Sequence, residues 1–79
     1  NTQKNTMIYP NPSLDGKFTI ESTNYKDGFI YLFEISGKEI LRSPLLNNKM
    51  ELNLSALAKG TYLLRLELKD GNEVIKLIR

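Results

Sequence analysis

The sequence contains neither cysteine nor histidine. The lack of cysteine excludes disulfides, thiolate nucleophiles and most structural zinc sites. The lack of histidine removes the side chain that most often serves as general base and transition-metal ligand. The remaining nucleophiles are serines with lysine as the only plausible base, and none of the serines lies in a Gly-x-Ser-x-Gly context. We therefore expect no enzymatic activity, no metal site and no cofactor.

Long apolar runs and a strong charge are also missing. No apolar run approaches the roughly 18–20 residues that cross a bilayer, and a net charge of +2 is too small to indicate a nucleic-acid partner. The 79 residues suffice for one domain with a modest core. Residues 1–6 are polar and without periodicity, so we expect a linker followed by a domain over residues 7–79.

The apolar residues that are present recur every second position. Phe18 with Ile20, and Leu64 with Leu66, are examples of this period, which is typical of half-buried strands. All five glycines fall at predicted turns, and three of them follow an aspartate. The sequence predicts about seven short strands, and at most a single helical turn at residues 55–58. We therefore predict an all-β, immunoglobulin-like antiparallel β-sandwich.

A strand, a tight corner and a second strand follow one another in residues 50–66. Leu57 precedes the corner, Gly60 permits it, and Tyr62 opens the next strand. This arrangement is typical of the tyrosine corner of immunoglobulin-like sandwiches, in which the phenol bonds to upstream backbone. We predict a bond from Tyr62 to backbone near Ala56 or Leu57.

Residues 29–33 are apolar at every position, so both faces of this strand need an explanation. We predict that Ile30 and Leu32 face the core. The opposite face then carries three aromatic side chains: Phe29, Tyr31 and Phe33. These form either an exposed interaction patch, such as a carbohydrate platform with Tyr25, or ordinary packing under neighbouring loops.

The two ends of the domain carry further candidate features. Residues 9–12 read Tyr-Pro-Asn-Pro, which predicts a rigid, extended edge segment. The last strand is basic, and we expect Arg65, Lys76 and Arg79 to share one sheet surface. That surface is either solvated or a docking site for a protein or an anionic glycan. If the last strand lies at a sheet edge with its end free, it could add a partner strand.

Several short motifs occur together in a defined order. They are Tyr-Pro-Asn-Pro, a Gly-Lys turn at residues 37–38, Leu-Ser-x-Leu-x-x-Gly-x-Tyr at residues 54–62, and a terminal Lys-Leu-Ile-Arg. In combination they closely resemble the type A C-terminal sorting domain of the type IX secretion system. The motif residues outside the corner are Tyr9, Pro10, Asn11, Pro12, Gly37, Lys38, Lys76, Leu77, Ile78 and Arg79.

The resemblance implies that the domain is the sorting signal of a larger exported cargo protein. Its partners would be the outer-membrane translocon and shuttle proteins of that system. A sortase-like cysteine peptidase would act on the preceding linker and join the cargo to anionic lipopolysaccharide. The cargo would pass through the periplasm and finish at the cell surface or secreted. The alternative is an immunoglobulin-like or fibronectin-like accessory or glycan-binding module of an extracellular enzyme.

Overall fold

The alternating segments of the sequence form seven β-strands in the computed structural model, which describes residues 6–23, 26–69 and 71–79. The strands are β1 (Thr6–Tyr9), β2 (Lys17–Ser22), β3 (Phe29–Glu34), β4 (Glu39–Pro44), β5 (Lys49–Asn53), β6 (Thr61–Leu68) and β7 (Gly71–Ile78). Within those ranges there is no helix. The predicted all-β class and strand number are confirmed.

The strands form two antiparallel sheets, one with the order β1-β2-β5 and one with the order β4-β3-β6-β7. The chain changes sheet three times, between β2 and β3, between β4 and β5, and between β5 and β6, so pairs such as β2–β5 and β3–β6 are not consecutive. This is the crossed connectivity of an immunoglobulin-like sandwich. The strands β4 and β7 are the edges of the larger sheet.

The core lies between the sheets and is built from the inward positions of alternating strands. Ile30 and Leu32 are fully buried, which confirms their predicted orientation. Each such aliphatic side chain contributes roughly 1.5–3 kcal/mol when it leaves water. The other buried apolar residues are Phe18, Ile20, Leu45, Leu52, Leu54, Tyr62, Leu64, Leu66 and Leu77.

Two local features differ in detail from the sequence predictions. The single helical turn expected at residues 55–58 is absent; instead Leu57 N–H donates to the Leu54 carbonyl at 3.0 Å, which closes a tight turn. The side chain of Asn53 begins this turn by accepting the Ser55 N–H at 3.0 Å, because asparagine readily bonds backbone two residues ahead. In addition, β1 begins at Thr6, the last residue of the expected linker, and residues 1–5 lie outside the described part of the chain.

The sequence Asp-Gly-Asn at residues 70–72 predicts a hairpin turn, with the last strand beginning at Glu73. In the structure this strand already begins at Gly71, which pairs with Leu68. Two residues therefore connect the strands. The turn residue Asp70 and the candidate platform residue Tyr25 lie outside the described residues.

Candidate functional site

The sequence motifs collect at one end of the sandwich. Across the larger sheet, Tyr62 lies opposite Glu34 on one side and Leu77 on the other, so the corner, the β3–β4 turn and the chain terminus share that end. A bond from Leu54 N–H to the Gly16 carbonyl at 2.8 Å places the β1–β2 connection there as well. We call this region, formed by residues 9–17, 34–38, 53–62 and 76–79, the motif end.

Asn11 joins the first motif to the last. Its side-chain N–H donates to the Lys76 carbonyl at 2.7 Å, and its side-chain oxygen accepts the Ile78 N–H at 3.0 Å. An asparagine amide carries one carbonyl and one N–H group in a plane, so it bonds the β7 edge as a peptide of a neighbouring strand would. Ser13 N–H adds a bond to the Ile78 carbonyl at 2.9 Å. We call these three hydrogen bonds the Asn11 clamp.

The segment that carries the clamp is bent, whereas an extended segment was expected. The strand β1 ends at Tyr9, and residues 10–12 form a bend with cis peptide bonds before Pro10 and Pro12. The bend takes the chain out of the smaller sheet and lets Asn11 reach the edge of the larger one. The Tyr9 hydroxyl donates to Glu21 on β2, and this bond raises the pKa of the phenol.

The turn between β1 and β2 is stabilised by its own side chains. The Asp15 carboxylate accepts the Lys17 N–H at 3.0 Å and lies 3.1 Å from the Ser13 hydroxyl. The bond from Lys17, followed by that from Ser13, lowers the pKa of Asp15. Aspartate in front of glycine thus acts here as a turn residue.

Arg79 is fixed by contacts with three other segments. Its backbone N–H and carbonyl exchange bonds with Gly60 at 2.9 and 3.0 Å, and its guanidinium donates to the Ser55 carbonyl at 3.0 Å. Gly16, at φ +82°, packs so closely that a Cβ there would lie 2.5 Å from Arg79 Nε. The last strand therefore lies at an edge, but its end is not free as expected, because residues 76–79 are bound by the clamp and by these contacts.

The tyrosine corner is present. The Tyr62 hydroxyl donates to the Ala58 carbonyl at 2.5 Å, one residue beyond the expected acceptor. The shift arises because a tight turn, rather than a helical turn, precedes it. Leu57 packs against the core and Gly60 has φ +154°. Leu57 and Tyr62 thus pack the corner against the core at the motif end.

The Gly37–Lys38 turn lies at the same end but apart from the clamp. It connects β3 to β4 through bonds from Gly37 N–H to the Glu34 carbonyl and from Glu34 N–H to the Lys38 carbonyl, both at 2.8 Å. The strand β3 is separated from β7 by β6, so the turn begins about two strand spacings, roughly 10 Å, from the clamp. Gly37 and Lys38 are exposed there.

The aromatic face of β3 lies on the outside of the larger sheet. Phe29, Tyr31 and Phe33 are half-buried, and the cover comes from neighbouring strands. The guanidinium of Arg65 lies 4.6 Å from the Tyr31 ring centroid and 5.7 Å from that of Phe33, while that of Arg42 lies 5.5 Å from Tyr31. Stacked cations of this kind stabilise the face and leave it partly accessible.

The basic residues of β6 and β7 do not share one surface. Arg65 and Lys76 lie on the outer face, and Arg65 pairs with Glu67 at 3.2 Å. Arg79 follows the inward-facing Leu77 by two positions and turns towards Gly16 instead. The expectation of a common surface is wrong for Arg79, because strand alternation sends its side chain to the other side of the sheet.

The described residues contain neither a metal-binding cluster nor a membrane-spanning helix. Among the described residues, no group of three His, Cys, Asp or Glu side chains could hold a metal ion. None of the described segments forms a helix that is long and apolar enough to cross a membrane.

Comparison with known proteins gives a family match that covers the residues of all the motifs. A search of curated proteins found no match. A family model described as "Secretion system C-terminal sorting domain" matches residues 7–79, which include all seven strands apart from Thr6. Members of that family are sorting signals and are not catalytic, and the match does not favour the accessory-module alternative. The chain therefore belongs to the C-terminal sorting domains of type IX secretion, and it directs export towards the cell surface or the medium.

Proposed function

We propose that the export machinery recognises this domain at its motif end, through β7 as it is held by the Asn11 clamp. The observation that carries the proposal is the direct bonding of Asn11 to Lys76 and Ile78. Two motifs 65 residues apart in the chain thereby form one continuous surface. Most of the motif residues at this end are exposed and therefore accessible to a partner: Tyr9, Pro10, Asn11, Pro12, Gly37, Lys38, Lys76 and Ile78.

The proposed route begins in the periplasm. There the folded domain is bound by shuttle proteins and by the outer-membrane translocon, which moves the attached cargo outwards. A sortase-like cysteine peptidase then cuts in or before residues 1–6. The position of β1 supports a cut that precedes the domain, because Thr6 is buried and its hydroxyl donates to that of Ser22 at 3.1 Å. Backbone inside a sheet is a poor protease substrate.

Truncation of the last four residues tests the proposed surface. The domain is fused to a reporter with a signal peptide and expressed in a bacterium that has a type IX system. Deletion of residues 76–79 should leave the reporter in the periplasm. Normal secretion of the truncated fusion would overturn the proposal.

Two further variants separate recognition from folding. The clamp uses only backbone atoms of Lys76, so Lys76→Ala tests that side chain with the clamp intact. Leu66→Val removes one buried methylene from β6 away from the motif end and costs about 0.5–1.5 kcal/mol. We expect Leu66→Val to be exported, which would show that a modest loss of stability does not by itself stop export.

A further inference from the structure

The strand β7 is the longest edge strand of the sandwich. It has eight residues and pairs only with β6, whereas the edge strands β1 and β5 have four and five. The fourth edge strand, β4, is six residues long and ends in Pro44, which lacks an N–H group. A long edge with unpaired backbone groups is a template for another strand.

The direction of the β7 backbone groups follows from the contacts at its end. The N–H and carbonyl of Ile78 and the carbonyl of Lys76 point away from β6 towards the clamp, while those of Arg79 point inwards to Gly60. Alternate residues of an antiparallel strand share a direction, and the β6–β7 register is continuous. Both backbone groups of Val74 and the N–H of Lys76 therefore point outwards.

The clamp divides this edge into two parts. From the Lys76 carbonyl onwards, the outward groups are occupied by Asn11 and Ser13. Before that point, the outward groups of Val74 and the Lys76 N–H have no hydrogen-bond partner within the described ranges. We call residues 72–76 the open edge.

The outer face beside the open edge carries aliphatic side chains next to basic ones. Val74 is 62% exposed and Ile78 is 41% exposed, and both lie on the outer face of β7 together with Lys76. The neighbouring strand adds Leu63, which lies opposite Lys76, and Arg65, which lies opposite Val74. The outer face of the smaller sheet carries charged side chains on β2 and β5: Lys17, Glu21, Lys49 and Glu51. Its edge strand β1 also exposes Met7, but β1 has only four residues.

We propose that the open edge binds an extended strand of another polypeptide, which continues the larger sheet beyond β7 and places an apolar side chain beside Val74. This inference rests on the proposed function and specifies how the partner is held. A peptide strand is the occupant because outward donors and acceptors alternate along the edge, and the backbone of an extended strand repeats that order over several residues. The clamp ends the open edge at Lys76 and so sets the register.

A second copy of this chain fits less well. Symmetric pairing of two open edges would bring together only five residues of each chain. The surface that so few residues bury is far below the about 1,000 Å² that a stable interface needs. A partner with further surface could also cover the aliphatic side chains of Val74, Ile78 and Leu63.

Proline at position 74 provides the test. Val74→Pro removes an outward N–H that the fold does not use, so the sheet is retained, since proline is tolerated at an edge where the N–H faces solvent. Val74→Thr keeps the N–H and a β-branched side chain. With the domain attached to its cargo, we expect Val74→Pro to be exported about tenfold less than Val74→Thr, which is the effect of one lost backbone bond between two variants that both lose the valine side chain. Normal export of Val74→Pro, or an equal loss with Val74→Thr, would overturn the inference.

A second pair of variants covers the case in which Val74→Pro does not fold. Lys76→Pro removes the other outward N–H, and Lys76→Ala is its control because it removes the same amine and keeps the N–H. We expect Lys76→Pro to be exported less than Lys76→Ala by about the same tenfold factor. Equal export of these two would contradict the inference.

The outcomes distinguish this inference from the proposal on which it rests. If deletion of residues 76–79 does not impair export, the proposed surface itself is wrong. If that deletion stops export while both proline variants are exported normally, only strand addition is wrong. Sedimentation of the wild-type protein should show a monomer; a dimer that Val74→Pro dissociates would show that the open edge pairs with a second copy instead.

Discussion

Replacement of Asn11 by alanine should destabilise the domain without altering its core. The change removes the two side-chain bonds to the Lys76 carbonyl and the Ile78 N–H and leaves the Ser13 bond in place. An exposed hydrogen bond contributes about 0.5–1 kcal/mol net, so the loss should be about 1–2 kcal/mol. For a domain of this size, each kcal/mol corresponds to about 4–8 °C, which gives a fall in Tm of about 4–16 °C.

Thermal unfolding followed by circular dichroism measures this loss, and Asn11→Asp is a matched control. Aspartate keeps an acceptor for the Ile78 N–H but, when ionised, has no donor for the Lys76 carbonyl. The folded state then disfavours the ionised form, which raises the folded pKa of the new carboxyl. The variant should therefore gain stability relative to Asn11→Ala as the pH falls through the raised folded pKa, and the gain should be complete below about 4, the ordinary carboxyl value.

Amide exchange at Ile78 provides an independent measurement. The Ile78 N–H should exchange slowly in the wild type and rapidly in Asn11→Ala, because Asn11 is its acceptor. A Tm for Asn11→Ala within about 1 °C of the wild type would mean that the clamp contributes almost no stability, which would refute the reasoning.

Further predictions concern the turns and the corner. Gly16→Ala and Gly37→Ala both place a side chain at positive φ, which costs about 1–2 kcal/mol. Only Gly16 is also crowded by neighbouring atoms, so denaturant unfolding should show a further loss of about 1–3 kcal/mol for Gly16→Ala, and equal losses would contradict that crowding. Tyr62→Phe leaves the Ala58 carbonyl without its partner and should cost about 1–2 kcal/mol in the same assay. Its export should remain normal while it is folded, and a stable Tyr62→Phe domain that is not exported would contradict a purely structural role. The lowered pKa of Asp15 means that its stabilisation is present above its unfolded value and lost as pH falls through the folded value. Acid unfolding of Asp15→Asn should lack this pH-dependent stabilisation. An acid-unfolding curve identical to that of the wild type would argue against a stabilising role of Asp15.

The strands and the core could be predicted because their signals are local. The two-residue period places Phe18, Ile30 and Leu64 inside without knowledge of which strands pair. Turn residues mark where each strand ends. The corner could also be predicted from Tyr62, because that signal is local as well. Which backbone carbonyl accepts the Tyr62 hydroxyl depends on the geometry of the preceding turn, which the two-residue period does not determine.

The clamp could not be predicted from local patterns. The sequence motifs include both Asn11 and Ile78, but nothing in the periodicity shows that they bond each other across 67 residues. One signal was available in retrospect. Pro10 and Pro12 lack N–H groups, so Asn11 is the residue of that segment best able to both donate and accept.

Side-chain direction at the sheet surface was only partly predictable. Alternation grouped Phe29, Tyr31 and Phe33 correctly, but their cover by Arg65 depends on the register of β3 with β6. Likewise, the side chain of Arg79 leaves the outer face because it lies an odd number of residues from Lys76. Charge clusters that are read from sequence alone miss such differences.

The central claim is that this domain is a sufficient address for type IX export, and transfer to an unrelated passenger tests it most directly. A passenger with a signal peptide is expressed with and without residues 7–79 at its C-terminus, in strains with and without the translocon. The measured quantity is the fraction of passenger outside the cell. We predict export only when both the domain and the translocon are present. Retention of the passenger in the periplasm despite a folded domain, or equal export without the translocon, would contradict the claim.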